Sequence, residues 1–502
     1  MQPSSAQPLS GVRVIDFTQV MLGPSATQVL ADYGADVVKI ERPGAGDLSR
    51  SSVADDPDGF DNPVFRSLNR NKRSIALDLR KPDGKAIIYD LVRDADIVAN
   101  NFRAGVMERM GFGYEELAKI NPRIICAFGS GFGQTGPLSY KGGQDILAQA
   151  LSGVMRRKCN DNEPLTVYAT SLCDYTAGMH LVQAILLALL QREKTGRGQQ
   201  VAVSLFESML AMQMQEAAMW LQRGRHFSWG SYPLTGGFET TDGALVLVGA
   251  FKTNPLQDIC AALGLPDLSL DQRYATSLCD YTAGMHLVQA ILLALLQREK
   301  TGRGQQVAVS LFESMLAMQM QEAAMWLQRG QHFSWGSYPL TGGFETSDGA
   351  IVLVGAFKTN PLQDICAALD LPDLSADQRY ATFQGQVAHK AELQAMFRER
   401  FAANTTQHWL ARLDAQDLLC APVLTLAEAL GHEQTKANGT VVTLNGGAKS
   451  MPLIGTPLTM APAAFQVRRP PPQLGADGEA ILSEAGYPAE RIAALRQAGV
   501  VA

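Results

Sequence analysis

Asp174 is the residue of this chain whose type and placement most invite chemistry. It stands immediately before the apolar stretch Tyr175–Leu190, so the helix predicted over Asp174–Leu190 begins on a carboxylate. The positive end of the helix dipole should hold that carboxylate ionised, although the same placement also describes an ordinary N-terminal helix aspartate. Cations form a second group: Arg42, Arg80, Lys81, Arg103 and Arg109 each follow a predicted strand. In an open parallel sheet ligands bind beyond the carboxyl ends of the strands, so these side chains are placed either to meet phosphates or to face solvent. The third feature, Gly129-Ser130-Gly131-Phe132-Gly133-Gln134-Thr135-Gly136, follows a strand but runs into Pro137 rather than a helix, which makes it a poor dinucleotide fingerprint.

The elements that must position these residues alternate. Val12–Phe17, Asp36–Glu41, Ser74–Leu79, Ile97–Asn100 and Arg123–Phe128 read as strands. Helices over 23–33, Asp83–Arg93 and Tyr114–Ile120 lie between them. That order predicts an α/β fold with a parallel sheet and helices on both faces. Beyond Asp174 come a strand at Gln200–Leu205, an amphipathic helix from Glu207 to Gln222, a hairpin around Thr241-Asp242-Gly243 and a helix at Asn254–Leu263. Towards the end lie a helix at Lys390–Phe401, the prolines Pro470–Pro472 and a terminal helical segment.

Residues 168–273 recur at 274–379, with Tyr274 standing 106 positions after Tyr168. The copies differ only at Arg225/Gln331, Thr241/Ser347, Leu245/Ile351, Gly264/Asp370 and Leu270/Ala376. A unit this long lies far outside the periods of about 20–50 residues that build solenoids and propellers. The Tyr-Ala-Thr at 168, 274 and 380 fits two origins, unequal crossing-over or a sequence-assembly join. Bulk properties add exclusions. With 46% hydrophobic and 18% charged residues and a net charge of −6, the chain has the composition of a globular enzyme and no basic excess for nucleic acid. Its seven cysteines occupy five unique positions without CxxC spacing, which predicts reduced thiols. The apolar run Leu181–Leu190 is too short to span a bilayer, and Met1–Pro8 lack the pattern of a secretory signal. A soluble cytoplasmic protein is the expectation.

The chain resembles the class III CoA-transferase family, which includes formyl-CoA transferase, carnitine CoA-transferase and the α-methylacyl-CoA racemases. The resemblance is carried by residues 9–17 (LSGVRVIDF), 34–43 (GADVVKIERP), Asn71-Lys72-Arg73-Ser74 with Asp78, and Asn101-Phe102-Arg103. It continues through Met110-Gly111-Phe112-Gly113, Asp174 with Gly178-Met179, Lys194–Gln199, and residues 495–500 (LRQAGV). It implies that Asp174 is the nucleophile, passing through aspartyl anhydride and aspartyl-CoA thioester intermediates. It further implies CoA contacts at Met21, Leu22, Arg42, Leu77, Asp78, Leu79, Arg80, Asn101, Phe102, Arg103, Arg109, Lys141, Gly142, Gly143, Gln144 and Asp145. Gly236 and Gly237 are what remains of a glycine-rich substrate loop. The substrates implied are an acyl-CoA and a small carboxylic acid, with no permanently bound cofactor, no metal, no nucleic acid or membrane partner, and an interlocked homodimer. The related racemases place a histidine where this chain has Gln144, and glutamine cannot act as a base at neutral pH, so racemase chemistry is the weaker alternative.

The expected fold is an open, mostly parallel Rossmann-like sheet with helices on both faces, a smaller α+β domain, and a C-terminal tail returning to the large domain. The division along the chain is 1–224 for the large CoA-binding domain and 225–273 for a first copy of the small-domain segment. The duplicated segment is 274–379, the rest of the small domain 380–450, and the C-terminal return 451–502. On this reading Asp174 is catalytic and Asp280, its copy, belongs to a surplus segment; the competing reading is a non-catalytic remnant disabled by the duplication. The surplus helix around Leu287–Leu296 would lack a sheet to pack on, leaving an apolar face exposed or exchanged between subunits.

Overall fold

A computed structural model of the chain describes residues 7–53, 56–156, 167–168, 170–226, 235–240, 243–248, 278–333, 338–356, 358–444, 451–461 and 478–498. The predicted helix at Asn254–Leu263, the prolines Pro470–Pro472 and the motif's final Gly499-Val500 lie outside these residues.

The large domain is built on β1 (Arg13–Asp16), β2 (Asp36–Glu41), β3 (Lys72–Ala76), β4 (Ile97–Asn100), β5 (Ile125–Ser130) and β6 (Gln200–Ser204), all parallel. Strands β4 and β5 are buried along their whole length, which is why they read as continuous apolar runs rather than as alternating ones. β3 lies at the sheet edge, where Arg73 and Ala76 are exposed while the Lys72 side chain turns inward to Asp16. A late strand, Thr459–Ala461, pairs antiparallel with β6, giving the order Thr459–Ala461, β6, β5, β4, β1, β2, β3. The C-terminal return and the mostly parallel sheet are therefore as expected.

Helix α1 (Leu22–Asp32) follows β1, and α2 (Asp145–Leu151) precedes the long α3 (Leu172–Thr195). α3 starts two residues before Asp174 and is long and apolar enough to cross a membrane by length and composition, longer than the run Leu181–Leu190 suggests. It is nonetheless mostly buried within the fold, as a core helix is. Gly178 makes this packing possible, because a Cβ there would lie 2.2 Å from Ser25 Oγ and 2.7 Å from the Leu22 carbonyl of α1. The single helix predicted over Glu207–Gln222 is two, α4 (Leu205–Met212) and α5 (Met214–Arg223). The break falls at buried Gln213, whose Nε2 donates to the carbonyls of Ser152 and Met209 at 3.1 and 3.2 Å, side-chain bonding that competes with helix continuation.

The small domain carries the antiparallel strands Gly342–Glu345, Ala350–Val354 and Leu419–Pro422. Helices Pro361–Ala368, Lys390–Ala402 and Thr406–Ala415 cover them around Phe344, Phe397, Phe401 and Trp409. Two of its strands thus belong to the second copy, so assigning all of 274–379 to one surplus segment is corrected. The first copy completes the large domain, and 338–379 packs into the small one because residues 380–422 follow it directly and supply its helices and third strand. The first-copy counterparts, Thr235–Thr240 and Gly243–Val248, pair with each other as a separate hairpin around the predicted turn. In the chain between the two domains the second copy adds α6 (Leu278–Thr301), α7 (Leu311–Met318) and α8 (Met320–Arg329), and α6 packs against the large-domain core.

Candidate active site

A cavity of about 260 Å³ opens where the chain after β1 and the chain after β4 diverge, at the carboxyl ends of the strands. This is the point at which strand order reverses, and ligands of open α/β sheets bind there. Gln19, Asn101, Ser130 and Gly143 contribute walls from the large domain, Leu205 from the first residue of α4, and Leu419 from the small domain. Gly131 and Gly143 press backbone to backbone beneath it. A Cβ on Gly143 would come within 2.3 Å of the Gly131 Cα, so any side chain here would push the two walls apart.

Asp174 lines the cavity from the first turn of α3. The amino end of its own helix is occupied by a different carboxylate. Buried Asp145 accepts the backbone N–H groups of Cys173 and Asp174 through Oδ1, at 2.6 and 2.9 Å, and the Gln149 amide through Oδ2, at 2.6 Å. The group facing the Asp174 carboxylate is instead the N–H of Leu22, at the amino end of α1. That N–H is one of the donors a helix start leaves free. The expectation that α3 holds Asp174 ionised is therefore corrected. Burial, and then the charge of Asp145, raise its pKa well above the usual carboxylate range, and the Leu22 N–H offsets this only in part. Burial also lifts Asp145, to about 6, against its three donors. A buried carboxylate and a half-buried one this close do not both ionise readily. Asp145, with three N–H partners, is the better holder of the charge, and Asp174 the better holder of the proton until a ligand changes its surroundings.

The cavity rim is held from behind. Asn101 clasps Gln19 in both directions, accepting its N–H at 2.8 Å and donating to its carbonyl at 2.7 Å. Val20 adopts a φ of 66°, a region costly for a β-branched residue, and its N–H donates to Asp47 Oδ1 at 3.1 Å. Asp47 in turn pairs with Lys39 at 2.8 Å with both side chains buried, and Lys72 pairs with Asp16 at 3.2 Å in the same layer. Burial lowers the Lys72 pKa to about 8 despite that partner. Across the cleft Lys141 bonds Asp414 at 2.8 Å and Arg103 bonds Asp417 at 3.4 Å, tying the two domains together.

Of the residues singled out in the sequence, Leu22, Asn101, Phe102, Arg103, Gly142, Gly143, Gln144 and Asp174 meet at the cavity. Met21 is buried in the core beneath it, and Asp145 lies behind Asp174. Arg42 and Arg109 are exposed and stand off the cavity wall, as does Arg80, which is held by Asp78 at 2.9 Å. Leu77 and Leu79 pack against the hydrophobic layer under β2 and β4. Lys141 turns to Asp414 rather than to the cavity lining. Gly236 and Gly237 form part of a strand, paired with Leu247 and Val246, and not a loop. Gln144 also caps α2, accepting the Ile146 N–H at 2.8 Å. Asp280 is exposed on α6, away from the cavity. Gln19, Val20, Leu48, Leu205 and Leu419 went unnoticed, since no periodicity or charge marks them; Ser130 and Gly131 were visible only as members of the glycine-rich run. Among the described residues no three His, Cys, Asp or Glu side chains gather as a metal site.

Comparison with known proteins follows the duplication. The model of CoA-transferase family III matches residues 9–277 and again 271–478. An acyl-CoA transferase of Fusarium pseudograminearum is 29% identical over 99% of this chain and 89% of its own length. A formyl-CoA:oxalate CoA-transferase of Escherichia coli is 30% identical over 98% of each. An acetyl-CoA:oxalate CoA-transferase of Acetobacter aceti is 39% identical over 53% of this chain and 69% of its own length.

Proposed function

The chain belongs to CoA-transferase family III, and from that premise we propose that it moves CoA from an acyl-CoA to a carboxylic acid with Asp174 as the covalent nucleophile. One Asp174 oxygen attacks the thioester carbonyl carbon; the C–S bond breaks, leaving a mixed anhydride and CoA thiolate. The thiolate then attacks the aspartyl carbonyl and releases the donor carboxylate, giving an aspartyl-CoA thioester. An incoming carboxylate displaces the thiolate to form a second anhydride, and the thiolate takes the new acyl group, restoring Asp174. Each exchange is an acyl transfer between good leaving groups, so one difficult step becomes several easier ones.

The observation that carries this reading is the placement of Asp174 on the cavity wall at the switch point of the sheet, facing the Leu22 N–H. Asn101, Phe102, Arg103 and the Gly142–Gln144 backbone are the groups we assign to CoA. Racemase chemistry is disfavoured because Gln144 stands on the cavity wall where a base would be needed. Incubation with an acyl-CoA, quenching and peptide mass analysis tests the proposal: a CoA or acyl adduct is expected on the peptide containing Asp174. CoA exchange that continues with Asp174 replaced by alanine would exclude it. The acids whose names occur among the relatives, oxalate, formate and acetate, are the first acceptors and donors to screen.

A further inference from the structure

Helices α3 and α6 have the same sequence, and their contact is reciprocal. Tyr175 Oη bonds His286 Nε2 at 2.8 Å, while His180 Nε2 bonds Tyr281 Oη at 3.0 Å; His286 is the copy of His180 and Tyr281 the copy of Tyr175. Gln183 donates to the Met285 carbonyl at 3.2 Å, and Gln289, its copy, donates to the Met179 carbonyl at 3.1 Å. Even the supports match, with Ser208 on His180 at 3.0 Å and Ser314 on His286 at 2.9 Å. When residue i touches j and the copy of i touches the copy of j from the other side, the surface is self-complementary, which defines a two-fold interface between identical units.

We infer that the face of α3 carrying Tyr175, Met179, His180 and Gln183 is a contact surface whose fitting partner is a second copy of this chain, and that α6–α8 occupy it in cis. In place of the homodimer that the family resemblance implies, the duplicated helices act as the chain's own partner at this face. A second set of contacts has only one of its two halves. Arg329 of α8 pairs with Asp56 and Asp58 at 3.0 and 2.7 Å, and Lys300 of α6 donates to the carbonyls of Pro8 and Ser10 at 3.0 and 3.1 Å. Their first-copy counterparts, Arg223 and Lys194, are exposed, because residues 1–167 occur once and no second Asp56, Asp58 or Pro8 exists in the chain. Two single-copy chains meeting through α3 would complete both halves, Arg223 of each facing Asp56 and Asp58 of the other.

The test begins with the full chain. Light scattering at micromolar concentration should give one chain per particle. Gln289→Arg with Arg329→Glu, both in the second copy, should release α6–α8 and speed amide exchange of the α3 segment by about tenfold or more, as expected when a local packing contact opens. The second arm deletes residues 225–330, joining Gly224 to Gln331. This single-copy chain should dimerise, Arg223→Glu should return it to monomer, and Asp56→Arg with Asp58→Arg should restore the dimer by reversing both charges. A full chain that dimerises as strongly as the deletion, unchanged exchange in the double variant, or a deletion dimer indifferent to Arg223→Glu would each overturn the inference. If the deletion fails to fold, the full-chain exchange measurement decides alone.

Discussion

Asp145 accepts the backbone N–H groups of both Cys173 and Asp174, at 2.6 and 2.9 Å, so the amino end of α3 is satisfied by one carboxylate while another, Asp174, faces the cavity. The helix start thus stabilises the charge of the supporting residue, and that charge raises the proton affinity of the proposed nucleophile.

Asp145→Asn separates these effects. Asparagine keeps an oxygen for the two N–H donors but removes the negative charge beside Asp174, lowering its pKa. The acid limb of kcat/KM for CoA transfer should move to lower pH. An unmoved limb would show that Asp145 does not set the ionisation of the nucleophile.

Stability should report the same carboxylate. Asp145 has an ordinary value of 3.8 and is raised to about 6 by burial, so the folded state binds its proton more tightly than the unfolded state. Its contribution is therefore greatest below the unfolded value and is lost as pH rises through the folded one, with a slope of up to about 1.4 kcal/mol per pH unit. Urea midpoints followed between those pH values should fall in the parent and fall less in Asp145→Asn. Parallel curves would remove the basis for this assignment.

The two aspartates of the duplicated block should behave differently. Asp174→Ala is expected to lower turnover by about a thousandfold or more, as loss of a covalent nucleophile does. Asp280→Ala, at an exposed position, should retain full activity. Equal losses would mean that both copies take part.

A matched pair of glycines tests which copy is packed. Gly178→Ala places a Cβ 2.2 Å from Ser25 Oγ and should destabilise the fold by roughly 1–3 kcal/mol. Its copy, Gly284, has nothing within 4 Å of a new Cβ, so Gly284→Ala should stabilise α6 by up to about 1 kcal/mol. Thermal midpoints moving in opposite directions are the expected outcome; the same shift for both would refute this packing.

Much of the site was legible before the fold. Asp174, Asn101–Arg103 and Gly142–Gln144 are contiguous or marked by neighbours, and eight of the chosen residues line one cavity. Others were not, for identifiable reasons. A charge after a strand does not reveal its direction, and Arg80 turns to Asp78 while Lys141 turns to Asp414. Nor does a helix start reveal who caps it: Asp145 reaches α3 from 29 residues away. Leu419 comes from the small domain, and only domain packing brings it to the wall.

The duplication separates local from non-local determinants within one chain. Leu172–Thr195 and Leu278–Thr301 form the same helix, and Leu205–Met212 is matched by Leu311–Met318, because helical hydrogen bonds close within a few residues. The hairpin also recurs in both copies, since its two strands lie side by side in sequence. Gln200–Ser204, however, is a strand, while the identical 306–310 is not, because only the first copy reaches β5. Phe206 is fully buried and its copy Phe312 is 74% exposed, for the same reason. The sequence by itself determined the helices, the hairpins and the residues that could do chemistry. Which aspartate meets the cavity was decided by the tertiary structure, because one sheet can bury only one of two identical helices.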